Sequence, residues 1–522
     1  MSVDVDFPLH PPKFHDVNPT HSTRLEGNAS TPNFLKGLPV GIPSHDIAPL
    51  NFTIYQNVID GELSRTDLTR HSVNPATLEA NPEVPVCTQS DVDRAVAAAQ
   101  DAAEPWAEVP WSERMKAIEA FADALEAHLV AFAHLQVREM GATLAMALSD
   151  IQWAVSLLRD ICKFSLPENV IEETQERRVV ERYRPIGVTV GIVPWNAPAV
   201  LAAFKIAPAL LTGNTLILKP SPFAPYSVLK MAELGLRFFP RGVLQALSGD
   251  DDLGPWLTAH PGIGKVSFTG SCATGKKVMQ ACSAHMKRIS AELGGNDPAI
   301  VCEDVDPEIV GEKIATVALL RSGQFCLAVK RVYVHESVYD AVLAGIVKYV
   351  ESARVGNGFD EGVVVGPIAN RPQYERVKNL LTNIEETKLE VVPRDGQSLE
   401  GLNGFFIRPI VVKNPPDEAR AVVEEAFGPI IPVMKWSDEA DVIQRANNTD
   451  YGLGASVWSR DPVQAGRIAN RLQAGNIWIN AHGELQASTV FPGHKHSGIG
   501  SELGIEGLKG WCNIQAMYTR PS

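Results

Sequence analysis

A chain of 522 residues, 45% hydrophobic and 21% charged, is too long for one core and too ordinary in composition for global disorder, so two or three folded domains are expected. Its 47 basic and 61 acidic residues leave a net charge of -14, which repels nucleic-acid phosphates and anionic membrane surfaces and makes neither a default partner. Seven cysteines, irregularly spaced, with no CxxC pair and no zinc-ligand cluster, argue against a disulfide framework and against a metal site, and point to a reducing, cytoplasmic compartment.

Residues 1–49 are rich in Pro, Asn, Ser and His without hydrophobic periodicity and read as an extended or disordered arm. The first residues lack the apolar stretch of a signal peptide, and the final Tyr-Thr-Arg-Pro-Ser is not a peroxisomal signal. Helical patterning starts at Asp91, read as an N-cap, and continues through an amphipathic stretch with Met115, Ile118, Phe121 and Leu125 on one face. The apolar run 188–204 is interrupted by Pro194, Asn196 and Pro198, so it predicts a strand, a turn and a helix from about Val200 rather than a membrane span. β-rich runs at 187–193, 215–219, 243–247 and 265–269 each precede a helical stretch, the pattern of parallel βαβ units. The charged segment 172–184 predicts an exposed hairpin, either a solvated loop or an oligomer contact. A second α/β stretch, from about residue 298 to 478, has strands at 329–335, 407–412 and 430–435.

Three motifs carry chemistry. Phe268-Thr269-Gly270-Ser271-Cys272-Ala273-Thr274-Gly275-Lys276 follows an apolar strand and opens a helix, where backbone N–H groups and the helix dipole favour an anion. Lys277 stands where a Walker A loop needs Ser or Thr, which leaves a nucleotide hydrolase a minor alternative. In Glu292-Leu293-Gly294-Gly295, a carboxylate at an apolar strand end is either a salt-bridged structural group or a base with a raised pKa. In Gly323-Gln324-Phe325-Cys326, a Gly-Gln turn lets backbone approach a ligand beside a thiol, whereas Cys87, Cys162, Cys282, Cys302 and Cys512 read as small core residues.

With Pro194-Trp195-Asn196, Lys219-Pro220-Ser221, Glu425-Ala426-Phe427-Gly428-Pro429, Tyr451-Gly452-Leu453 and Lys495-His496-Ser497-Gly498, these motifs run in order from about residue 50 to 518 and resemble the aldehyde dehydrogenase superfamily. The resemblance implies a Rossmann-like cofactor domain, an α/β catalytic domain and a small β oligomerisation arm. The boundaries expected are 50–166 with 186–296 for the cofactor domain, 297–480 for the catalytic domain, and 167–185 with 481–522 for the arm and C-terminal segment. It also implies oxidation of a small-molecule aldehyde to a carboxylic acid with NAD or NADP by a homodimer or homotetramer. Cys326 would attack the aldehyde, Asn196 and the Cys326 N–H would hold the oxyanion, and Glu292 would activate water. Gly270, Ser271 and Gly275 would take the pyrophosphate, Lys219 and Ser221 the adenosine ribose, and Gly249 and Gly254 the adenine side. Glu425 would bind the nicotinamide ribose, with Phe427, Trp195 and Leu293 near the cofactor.

Several positions depart from the family pattern. Pro222 replaces a Glu that many NAD-preferring members use against a 2′-phosphate, so NADP is not excluded. Arg321 replaces an Asn common ahead of the Gly-Gln turn, and Val490-Phe491-Pro492-Gly493 replaces Pro-Phe-Gly-Gly. The substrate pocket is expected near Trp153, Phe325 and His482. A CoA-acylating enzyme is the rival reading, disfavoured by the presence of Glu292, and a non-catalytic protein on the same fold is a remote one.

Overall fold

The computed structural model describes residues 50–394 and 397–521, and the expected N-terminal arm lies outside the described residues. Val188–Ile192, Thr215–Lys219 and Lys265–Thr269 are buried along their whole length. Such runs suit central parallel strands covered on both faces. They form the middle of an eight-stranded sheet in the order Glu62–Ser64, Asn57–Ile59, Leu244–Ala246, Thr215–Lys219, Val188–Ile192, Lys265–Thr269, Arg288–Glu292, Gly498–Ile499. The five inner strands are parallel, and the strands flanking them on each side run antiparallel. Chain order reverses between Val188–Ile192 and Lys265–Thr269, and in open α/β sheets a crevice for ligand opens at the carboxyl ends flanking such a reversal.

The chain leaves Glu292 and, after four residues, enters Asp297–Val301, the first strand of a seven-stranded sheet. Its order is Val391–Val392, Ile410–Lys413, Ile430–Trp436, Val329–His335, Asp297–Val301, Gly454–Trp458, Asn476–Ile479, parallel except for the Val391–Val392 edge. The carboxyl ends of the first sheet therefore face the amino ends of the second. The expected hairpin forms as Asn169–Glu173 and Arg178–Pro185, and Cys512–Thr519 adds a third antiparallel strand. Some expectations shift: the strand expected at 407–412 forms at Ile410–Lys413, the helix expected from about Val200 begins at Pro198, and the first long helix, Gln89–Glu108, is capped by Thr88 rather than Asp91. Asp91 serves instead as the third helical residue, accepting from the Thr88 N–H at 2.8 Å in a reciprocal capping box.

Asn214, fully buried in the turn before Thr215–Lys219, joins the first sheet to this arm. Its side-chain oxygen accepts from the N–H groups of Ile186 at 2.7 Å and Gly187 at 2.9 Å. Its amide nitrogen donates to Thr212 Oγ1 at 2.8 Å and to the Trp511 carbonyl at 2.9 Å. Asn214→Ala would strand these partners, of which Thr212 and Trp511 are buried and Ile186 and Gly187 half-buried, each worth about 1–3 kcal/mol when buried and left unsatisfied. The expected outcome is a loss of about 3 kcal/mol or more, read as a lower urea midpoint; a midpoint unchanged within error would show that the latch carries no stability.

Candidate active site

Three of the segments that leave the carboxyl edge of the first sheet, and two that enter strands of the second, converge on one cavity of about 150 Å³. Trp195 and Asn196 follow Val188–Ile192, Gly270 and Ser271 follow Lys265–Thr269, and Leu293 follows Glu292. Cys326 arrives from the turn before Val329–His335, and Glu425 and Phe427 from the segment before Ile430–Trp436. All nine of these residues, Glu292 included, line the cavity. Trp195 and Phe427 meet edge to face at 5.4 Å across it.

The turn that carries Cys326 is held tightly. Arg321, Ser322 and Gly323 have φ values of 52, 60 and 77°, a left-handed run that is strained for the first two. Side-chain and backbone bonds offset that strain. Gln324 donates to the carbonyls of Arg321 at 3.0 Å and Pro367 at 3.3 Å and accepts from the Ala369 N–H at 2.8 Å. Beyond the cysteine, Lys330 donates to the carbonyls of Phe325 at 2.7 Å and Cys326 at 3.2 Å. Asn196 donates one amide hydrogen to the Gln324 carbonyl at 3.1 Å, leaving its second for a ligand.

Electrostatically the cavity is loaded with acid. Glu292 is 4% exposed, and among the described residues neither carboxyl oxygen has an N–H or O–H partner, while the Cys326 thiol faces it. Burial pushes its pKa up to about 8, with the Glu502 carboxylate adding to the rise and the Cys326 thiol and Lys205 opposing it. The Cys326 thiol is itself raised well above its ordinary value, first by burial and then by Glu292, while Lys330 draws it down. Glu425 is raised by burial against the pull of Lys330, and accepts from the Gly295 N–H at 3.1 Å. Behind Glu292, the fully buried Lys205 pairs with Glu502 at 2.8 Å and also donates to Thr269 Oγ1 at 2.9 Å.

The residues expected on the adenosine side sit along the same sheet edge but outside this cavity. Lys219 is nine-tenths buried, and among the described residues its ammonium donates only to the Pro220 carbonyl, at 3.3 Å. Burial, with Arg70 adding to the effect, lowers its pKa to about 8. Its remaining N–H groups are free for the hydroxyls of a ribose, so the site fits a dinucleotide. Gly254 approaches the Lys219 side chain, a Cβ there lying 3.7 Å from Cε, and Gly249 offers its carbonyl to Arg70 at 3.4 Å. Two side chains have local duties. Ser221 Oγ accepts from the Phe223 N–H at 3.2 Å, and Ser271 caps the helix Cys272–Ser283, accepting from Thr274 N–H at 3.3 Å. A Cβ on Gly275 would meet Leu293 at 2.6 Å, so that glycine allows the helix to pack on the strand end.

Sequence reasoning missed Lys330, Lys205, Glu502, Gln373 and Arg376. Gln373 donates to the carbonyls of Ala426 and Phe427 at 3.2 and 3.0 Å, and Arg376 to that of Glu425 at 3.2 Å. A lysine four residues past the thiol was a readable signal; nothing local marked the others. His482 is not free for substrate: its ring nitrogens lie 2.9 Å from Ser456 Oγ and 3.1 Å from the Leu327 carbonyl. The other five cysteines assigned to the core are buried. Among the described residues, no group of three or more His, Cys, Asp or Glu is placed to hold a metal ion, and no helix is long and apolar enough to cross a membrane.

A model of the aldehyde dehydrogenase family matches residues 64–517. The chain is 36% identical over 469 residues to aldehyde dehydrogenase LUC3 of a Fusarium species, covering 90% of this chain and 99% of that protein. It is 34% identical over 482 residues to phenylacetaldehyde dehydrogenase of Pseudomonas fluorescens, covering 89% and 95% respectively. Among solved structures, betaine aldehyde dehydrogenase from Staphylococcus aureus in complex with NAD+ superposes with a TM-score of 0.86 at 30% identity, covering 90% of this chain and 95% of that one.

The unusual Arg321 has a partner. Its guanidinium forms a two-pronged ion pair with Asp150 on the helix Leu144–Ile161, the longer contact 2.5 Å, with both side chains at 5% exposure or less. It also lies over the Phe325 ring at 5.7 Å. Removing one member of such a buried pair costs about 3–5 kcal/mol, because the other charge stays buried and unpaired. Asp150→Asn is expected to destabilise by that amount, and the double change Asp150→Leu with Arg321→Met by less. Equal losses in denaturant titrations would show that the two side chains do not act as a pair.

Proposed function

The chain belongs to the aldehyde dehydrogenase family, and on that premise we propose that Cys326 is the nucleophile, Asn196 an oxyanion donor and Glu292 the base of its NAD(P)-dependent aldehyde oxidation. The observation that carries this reading is the convergence of all three, from distant segments, on one cavity. As a thiolate, Cys326 forms a bond to the aldehyde carbon, and the carbonyl oxygen takes up the charge. The free Asn196 N–H and the Cys326 backbone N–H hold that oxyanion, and each such donor is worth about 3 kcal/mol of barrier. A bound nicotinamide supplies the hydride acceptor needed to turn the thiohemiacetal into a thioester. Glu292 then removes a proton from water, the hydroxide attacks the thioester carbon, the carbon–sulfur bond breaks, and the acid leaves with Cys326 regenerated. A base in this position supports water, rather than CoA, as the acyl acceptor.

For the cofactor, the residues on the first-sheet edge have complementary parts. Lys219 would hold the adenosine ribose beside Ser221, Gly249 and Gly254, and the helix end at Gly270, Ser271 and Gly275 the pyrophosphate. Glu425 would hold the nicotinamide ribose, with Trp195, Leu293 and Phe427 around it. Pro222 leaves the 2′-position open to either NAD or NADP. Trp153, Phe325 and Trp478 pack around the same hydrophobic core as Cys326, which favours a medium-sized aldehyde with an apolar body.

The sheet boundaries support a cofactor domain of 50–166 and 186–296, a catalytic domain of 297–480, and an arm with C-terminal segment of 167–185 and 481–522, from which Gly498–Ile499 returns to the first sheet. Exposed Val170, Ile171, Ile514 and Tyr518 on the arm favour a homodimer or homotetramer built through it. Seven free cysteines favour the cytoplasm.

Two substitutions test the reading. Cys326→Ala should cut aldehyde-dependent cofactor reduction by roughly 10⁴-fold or more, and undiminished activity would overturn the assignment. Glu292 works as a base only once deprotonated, and its carboxyl titrates at about 8, so turnover should climb as pH rises through that value. Glu292→Gln should flatten this limb and slow turnover while leaving a single burst of reduced cofactor per site. A limb preserved in that variant would place the ionisation on another group.

A further inference from the structure

A buried ammonium next to a nucleophilic thiol calls for a reason, because burial of an unpaired charge is costly and a neutral residue of similar length would fill the same space. Lys330 is the second residue of Val329–His335, with its side chain 5% exposed. Its ammonium meets the carbonyls of Phe325 and Cys326 and lies 3.5 Å from Glu425 Oε1. The Phe427 ring is 5.6 Å away. The backbone contacts alone need only a neutral donor. The carboxylate contact needs the charge.

We propose that Lys330 is a positioning residue that ties the nucleophile to the nicotinamide-ribose site, one ammonium gripping the Cys326 backbone and the Glu425 carboxylate at once. This rests on the reading of Cys326 as nucleophile and Glu425 as the ribose carboxylate. The charged groups facing the pair set the sign of the coupling. Glu292 and Glu425 disfavour a thiolate at Cys326, and Lys330 favours it. On its other sides Glu425 feels Arg376, which opposes the effect of its burial, and Asp297, which adds to it. With the cofactor absent, Glu425 neutralises much of the Lys330 charge. When ribose hydroxyls donate to Glu425, its carboxylate is satisfied from a second direction, and more of the ammonium's field falls on the sulfur. The thiol would thus become most nucleophilic when the oxidant is in place.

The test is the pH profile of Cys326 alkylation by iodoacetamide, with the modified residue located by peptide mass spectrometry, with and without NAD+. Lys330→Met should move the midpoint to higher pH, slowing alkylation near neutrality by about tenfold or more, the equivalent of about one pH unit. Glu425→Gln should move it the opposite way, because the thiol loses an opposing carboxylate and Lys330 loses its counter-charge. Lys330→Arg should restore the profile in large part. NAD+ should lower the midpoint in the unmodified enzyme and not in Lys330→Met; the midpoint is compared rather than the plateau rate, since a bound cofactor also shields the sulfur.

Loosening of the turn alone would move Lys330→Met and Glu425→Gln in the same direction, and that result would overturn the proposal, as would an unmoved profile in Lys330→Met. An equal NAD+ effect in both enzymes would overturn the coupling. Glu425→Gln keeps the test decisive should Lys330→Met fail to fold. Alkylation of Cys326 that leaves turnover intact would instead remove the nucleophile reading on which the proposal rests.

Discussion

Too much negative charge in too little water is the condition around which this site is built. The Cys326 thiol, which the proposed chemistry needs ionised, faces Glu292 and lies near Glu425, and Glu502 stands behind Glu292. Like charges this close cannot all be carried in a low dielectric, so the protons are shared out by environment. Burial holds the Glu292 carboxyl near pH 8, keeping it largely protonated at neutrality and therefore a weak competitor to the thiolate. Two buried ammonium groups complete the arrangement. Lys205 compensates Glu502 at 2.8 Å, and Lys330 compensates Glu425 at 3.5 Å. The proposed base and the proposed nucleophile are thus separated by charge state as well as by position.

The fold makes this crowding achievable because it brings ends, not faces, together. The carboxyl ends of one parallel sheet carry Asn196, Ser271 and Glu292, and the amino end of a strand in the other receives the chain from Cys326. Only four residues join Glu292 to the second sheet, and the two glycines among them leave no side chain in the gap. A Cβ on Gly295 would lie 2.6 Å from the Cys326 carbonyl, so the glycine pair after Glu292 lets the two segments approach each other. The pairing of Thr269 with Glu292 in the first sheet then fixes Lys205, through Thr269, behind Glu292.

Much of the frame was legible. Strands at Thr215–Lys219, Lys265–Thr269 and Val329–His335 match their sequence runs residue for residue, because each is a short run rich in β-branched and aromatic residues. Thr88 displaced Asp91 as a cap because both residues can accept from the backbone, and only the reciprocal geometry decides between them. The family motifs pointed to Cys326, Glu292, Asn196 and Glu425, which share one cavity. They gave no notice of Lys205 and Glu502, which lie 297 positions apart. Nor did they suggest Gln373 and Arg376, whose task is to hold a backbone that turns at Phe427 with φ 46°. Long-range polar pairs leave no periodic trace, so sequence pattern cannot see them.

The departure at Arg321 then takes on a meaning beside Lys330. Arg321 lies five residues before Cys326 and Lys330 four after it, so the turn that presents Cys326 is flanked by two buried cations. Their counter-ions differ in kind. Asp150 belongs to the helix Leu144–Ile161, which also carries Trp153, so Arg321 ties the turn to the scaffold and to the side proposed for substrate. Glu425 lines the cavity itself, so the bond Lys330 makes there is exposed to whatever enters. A residue fully satisfied by scaffold can only fix geometry, whereas one whose partner also meets a ligand can report that ligand's arrival. The same strained turn is therefore anchored rigidly on one side and responsively on the other.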